Sequence, residues 1–283
     1  MSAITREHLE ATHDFAATHA VVRDTIHAAV SEPLATVRFM GRYTSWSGYF
    51  GSGVATLAGK VGRCRGMFLS PDQPIIALAD RSVLVASYFF DAARAEFDDH
   101  DTVHRDTHRC LAQAHLMGLI AFNAQFEKRL ANAVFINEQL ESPLWLKGLH
   151  DRVAMGYGAY SPDEKPSVFR AMGYHLGSEV LADQEFSVID EELRAVSPAM
   201  VKYLEATSVR IGGQDHNAYQ WLRVHSGHGG GAEADHFAWA VQGVSRAFRY
   251  VPPEQHDALR HQVILGFKDF AWDHAEFFSN VNA

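Results

Sequence analysis

AMGYHLGSEVLADQEF, residues 171–186, is the stretch on which the fold turns. Met172, His175 and Leu176 share the face of Glu179 on one side, and Ala182 and Phe186 continue it on the other. That three- and four-residue spacing is the period of an α-helix, not of a strand. The pattern predicts a helix whose apolar stripe contains an acid.

The same spacing prevails outward in both directions, and strand-like alternation is scarce, so the chain reads as nearly all helix. Pro, Gly and Asp clusters at 31–33, 70–74, 97–101, 141–145, 161–166, 196–198, 211–217, 226–231 and 250–255 interrupt it. They leave roughly eight to ten helical segments. No internal repeat or Gly/Ser-rich linker appears, and a chain of 283 residues, 47% hydrophobic, can bury a large core. One helical domain over 1–283 is the expectation.

Several function classes are disfavoured by composition. The formal charge of −9 argues against nucleic-acid binding, which needs a basic surface. There is no run of about 18 apolar residues to span a membrane, and the charged start MSAITREHLEATHDF lacks the apolar segment of a secretory signal. Two cysteines, Cys64 and Cys110, cannot form a disulfide framework. The expectation is a protein of a reducing cytoplasm.

Residues 41–66, GRYTSWSGYFGSGVATLAGKVGRCRG, contain seven glycines. They fit either a closely packed helix pair or a backbone brought up to a ligand, with Arg42, Tyr43 and Trp46 facing it. Arg63 would join these in suiting an acidic or aromatic substrate.

Buried acids and imidazoles are costly unless paired, hydrogen-bonded or metal-bound, so inward-facing ones are informative. Glu96 ends the helix DRSVLVASYFFDAARAE on the face of Val85, Phe89, Ala92 and Ala93. His108 opens THRCLAQAHLMGLIAF on the face of Leu111, Ala112, His115 and Leu116. In HSGHGGGAEADHFAW, residues 225–239, Glu233 and His236 stand at i and i+3, and His236 heads a stripe through Trp239, Ala240, Gly243 and Val244. His225 or His228 precedes them, with His225 continuing the helical register of WLRVH. Asp98 and Asp235 are expected to face water. Such a mixed oxygen and nitrogen set suits iron or manganese; structural zinc would be expected to use thiolates.

Glu96 followed by a polar loop and HRxLA, then LGSExLADxEF, then WLxxH and ExxHF, resembles the haem-oxygenase-like di-iron oxidases over roughly residues 75–250. The resemblance implies an all-α, haem-oxygenase-like multi-helix bundle. Residues 1–74 would supply N-terminal helices, 75–250 the metal-binding core and 251–283 a C-terminal helix. It implies two iron ions, or manganese in place of iron, held by Glu96, His108, Glu179, His225 or His228, Glu233 and His236. His115 and His175 would orient the ligands. Dioxygen would be the co-substrate and a separate electron donor the reductant, with a small organic molecule oxidised and a homodimer as the assembly. The third motif departs from the family's His-x3-acid-x2-His, because position 229 is Gly. A metal-free thiaminase-like enzyme using Cys110 or a cofactor-independent oxidase of the same fold, and a non-catalytic helical protein that binds haem or another ligand, are the alternatives.

Overall fold

The computed structural model describes residues 4–70, 81–98, 106–226 and 232–283, apart from the side chains of 182–184 and 232–235. Its helices are α1 (Arg6–Glu10), α2 (Phe15–Val30), α3 (Pro33–Ser47), α4 (Phe50–Arg63), α5 (Ser82–Asp98), α6 (His108–Asn123), α7 (Ala133–Leu140), α8 (Leu144–Gly156), α9 (Lys165–Val196) and α10 (Pro198–Ala206). A hairpin of β1 (Ser208–Ile211) and β2 (Gln214–Asn217) follows, then α11 (Gln220–His225), α12 (Ala232–Arg249) and α13 (His256–Asn280). The described chain is therefore mostly helical, and none of its helices is long and apolar enough to cross a membrane.

The opening stretch lies inside α9, a helix of 32 residues that packs against α13, α2, α12 and α4. Pro166 sits in its first turn, where the missing N–H is not needed. The α9 and α13 backbones touch. A Cβ on Gly173 would lie 1.9 Å from the Val263 carbonyl oxygen, and one on Gly266 would lie 1.8 Å from that of Arg170. Only glycine permits this approach, and it brings the helices close enough for Phe267 and Phe270 to pack fully into the core.

Residues 211–217 interrupt the helices as the sequence predicts, and together with 208–210 they form a hairpin, with Ser208 opposite Asn217 and Ile211 opposite Gln214. Gly212 and Gly213 both have positive φ, 59° and 89°, as a two-residue turn of this hand demands. The hairpin packs on α6, and its buried His216 places Nδ1 3.2 Å from Asp106 Oδ1, just ahead of that helix. Thr107 then caps α6 by accepting the Cys110 N–H, so the entry of the chain into His108 is held from two sides.

Candidate metal centre

Five helices bring the predicted ligands together. His108 Nδ1, at the first residue of α6, lies 3.2 Å from Glu96 Oε2, two residues before the end of α5. The same nitrogen lies 3.2 Å from Nε2 of His225, at the C-terminus of α11. On α9, Glu179 Oε1 lies 3.2 Å from His175 Nδ1, and its Oε2 lies 3.5 Å from His236 Nδ1 on α12. The two groups face each other, since Glu96 also feels the charge of His236, and His175 that of Glu96. His228 lies outside the described residues, as do the side chains of Glu233 and Asp235.

Hydrogen bonding fixes one tautomer. His225 Nδ1 lies 2.7 Å from the Trp221 carbonyl oxygen, which can only accept, so Nδ1 carries the proton and Nε2 presents a lone pair towards His108. A backbone carbonyl orienting the far nitrogen of an imidazole is the usual support for a metal-binding histidine. Burial first, and the neighbouring His108 second, push the His225 pKa down to about 3, keeping the ring neutral and able to ligate. His175 is also lowered, chiefly by burial. Burial alone would raise the Glu96 pKa, but His108, with His225 and His236 behind it, outweighs that and holds it at about 2. An ionised Glu96 close to the neutral ring of His225 is a pairing that a cation could join.

The spacing also fits. Bonds of about 2.1 Å place neighbouring ligand atoms about 3.0 Å apart at right angles and about 3.4 Å apart in a tetrahedron. The contacts here span 3.2 to 3.5 Å. They are a chain of pairs: among the described residues no three of these side chains already close about one point.

A cavity of about 260 Å³ opens beside the cluster, with Glu96, His108, Glu179 and His225 in its wall. Phe186, stacked on the His225 ring at 4.2 Å, and Trp221 give it an apolar side. Thr44, Ser47 and Arg109 give it a polar one, and Arg109 donates through Nη1 to the Thr44 carbonyl. Gly51 completes the wall: a Cβ there would lie 2.9 Å from Glu96 Cβ and 3.2 Å from its Oε2, so the glycine makes room for the acid. The glycine-rich segment is thus closely packed and also borders the cavity.

Some expectations need correction. Arg42 donates to the carbonyls of Val281 and Ala283, at 2.5 and 2.7 Å, because the C-terminus folds back across α3. Arg63 instead pairs with Asp163. Trp46 is fully buried against Phe277 and Phe270 rather than in the cavity wall, while Tyr43 does line the cavity. His115 hydrogen-bonds the Ala218 carbonyl at 2.7 Å and packs beside Trp221, away from the ligand atoms; His175 touches Glu179 directly. Asp98 is buried, because α5 continues through it and sets it three residues beyond the buried Ala95. Arg170, on the same helix as Glu179, pairs with Asp269.

Sequence reading missed Arg109, which no pattern distinguishes from a solvated arginine. It also missed the role of Glu185 in its own LADxEF motif: Tyr43 donates to Glu185 Oε2 at 2.6 Å, and His274 Nε2 lies 2.7 Å from Oε1. Compared with protein-family models, curated proteins and solved structures, the chain matches none.

Proposed function

We propose that the protein is a non-haem di-iron oxidase or oxygenase that acts on a small organic molecule bound in the 260 Å³ cavity. The supporting observation is that Glu96, His108, Glu179, His225 and His236, from five helices, gather beside one cavity, with the His225 lone pair already directed inward. Glu96, His108 and His225 would hold one side of the metal pair; Glu179 and His236, with Glu233, would hold the other. Bound there, iron supplies one-electron redox chemistry and a site for dioxygen.

The chain's own groups do the rest. Glu96 on α5 and Glu179 on α9 would balance the charge of bound cations. The Trp221 carbonyl keeps the His225 proton on Nδ1. Phe186 and Trp221 exclude water from the apolar wall, while Thr44, Ser47 and Arg109 present polar contacts to the substrate. Cys110 is not among the described residues of the wall.

Anaerobically iron-loaded protein mixed with oxygenated buffer in a stopped-flow spectrometer should give a visible absorbance transient that requires both iron and oxygen. An iron-loaded protein that leaves oxygen unconsumed would end this reading.

A further inference from the structure

We propose that Tyr43 is a redox-active tyrosine: it passes an oxidising equivalent from the cavity into a chain of aromatic rings running towards the surface, with Glu185 taking its phenolic proton.

The starting observation is a buried polar triad that the metal centre does not use. Tyr43, Glu185 and His274 are each 1% exposed or less. Tyr43 donates to one Glu185 oxygen at 2.6 Å, and His274 Nε2 lies 2.7 Å from the other, off the line of an ordinary hydrogen bond. No lysine or arginine contacts this acid among the described residues. A buried acid with this retinue contributes little to stability compared with apolar residues of the same shape, so packing alone does not explain it.

The second observation is the position of the Tyr43 ring. It lines the cavity, and its centroid lies 5.8 Å from that of Trp221, which lies 6.2 Å from the candidate ligand His225. On the other side Trp46 follows at 6.4 Å and stacks on Phe277 at 4.3 Å. Phe277 is 6.1 Å from the half-buried Trp145. Tyrosine and tryptophan are among the protein side chains most readily oxidised by one electron, and here Tyr43, Trp46 and Trp145, with the Phe277 ring bridging the two tryptophans, form a route from the cavity to near the surface.

Glu185 makes the first step possible. A tyrosine that has lost an electron is a strong acid, and a cationic ring in a dry core is costly. The step balances as follows. A one-electron oxidant in the cavity, of the class of an oxidised transition-metal centre, takes one electron from Tyr43. The O–H bond breaks, the proton moves onto Glu185 Oε2, and a neutral phenoxyl radical remains. One electron from a reductant at the surface, through Trp145 and Trp46, restores the phenol as the proton returns. The inference rests on the oxidase reading only for the identity of that oxidant.

The test uses full-length protein freed of metal. A ruthenium tris(bipyridine) complex and a cobalt(III) acceptor generate a one-electron oxidant by flash photolysis, and samples are frozen for electron paramagnetic resonance. A tyrosyl radical that outlasts those of exposed tyrosines is expected, with a hydrogen-bond coupling that disappears on exchange into deuterium oxide. Tyr43→Phe should lose the radical, and Glu185→Leu, which leaves neither a proton acceptor nor an exchangeable donor beside the phenol, should lose the coupling and shorten the lifetime. Should either variant fail to fold by circular dichroism, Trp145→Phe carries the test, with slower radical formation expected. An unchanged radical in Tyr43→Phe, no exchangeable coupling in the wild type, or unchanged formation in Trp145→Phe would overturn the proposal. No iron enters the assay, so this result and the fate of the oxidase reading are independent.

Discussion

Buried neutral imidazoles should make the metal-free protein labile in mild acid. In the fold, His225 is held at about 3 and His115 at about 4, in both cases chiefly by burial, against about 6.5 in the unfolded chain. Both folded values are depressed, so the stability they support is intact above pH 6.5. It is lost as pH falls through the window down to those values, because only the unfolded chain takes up protons there. At pH 5 the window has been entered by about 1.5 units, and each ring costs about 2 kcal/mol, or about 4 kcal/mol together. His175 acts in the same direction. Glu96, depressed to about 2, adds a loss only once pH falls below the ordinary carboxylate value of 4.5. Against a total stability of about 5–15 kcal/mol this is a large share. Urea unfolding in chelator at pH 7, 6 and 5 measures it, and His115→Leu should reduce the pH slope by about one proton at pH 5. Equal stability at pH 7 and 5, or an unchanged slope in His115→Leu, would refute the reasoning.

Gly51→Ala would gain about 1 kcal/mol of helix propensity but push a methyl group to 2.9 Å from Glu96 Cβ. The clash should win by about 1 kcal/mol, seen as a lower Tm in calorimetry and weaker iron uptake. Gly173→Ala meets the Val263 backbone at 1.9 Å, where no side chain can yield, and should destabilise by about 3 kcal/mol or more in urea unfolding. Arg42→Ala should lower stability by about 1–3 kcal/mol, by removing donors to the Val281 and Ala283 carbonyls, and leave iron stoichiometry unchanged.

The helices and the cluster of acids and imidazoles were legible because each rests on local spacing. Glu96, His108, Glu179 and His236 each sit in an apolar stripe, and a helix that buries the stripe must bury the acid or imidazole with it. Asp98 was misjudged because α5 runs through its expected end. The hairpin is less legible because a Gly-Gly pair breaks a helix as readily as it turns a hairpin, and only Val209 and Ile211 beside it mark the strand. Arg42 could not be placed from sequence, since its partners lie 239 and 241 residues away at a terminus whose position only the packing decides. The Tyr43 and Glu185 pair, 142 positions apart, was hidden for the same reason.

Iron analysis of anaerobically loaded protein, wild type beside Glu179→Ala, tests the central claim most directly. The account predicts about two irons per chain in the wild type and loss of most of that iron in a variant that keeps its helical circular dichroism. A folded wild type that takes up no iron, or a variant that retains both ions, would contradict it.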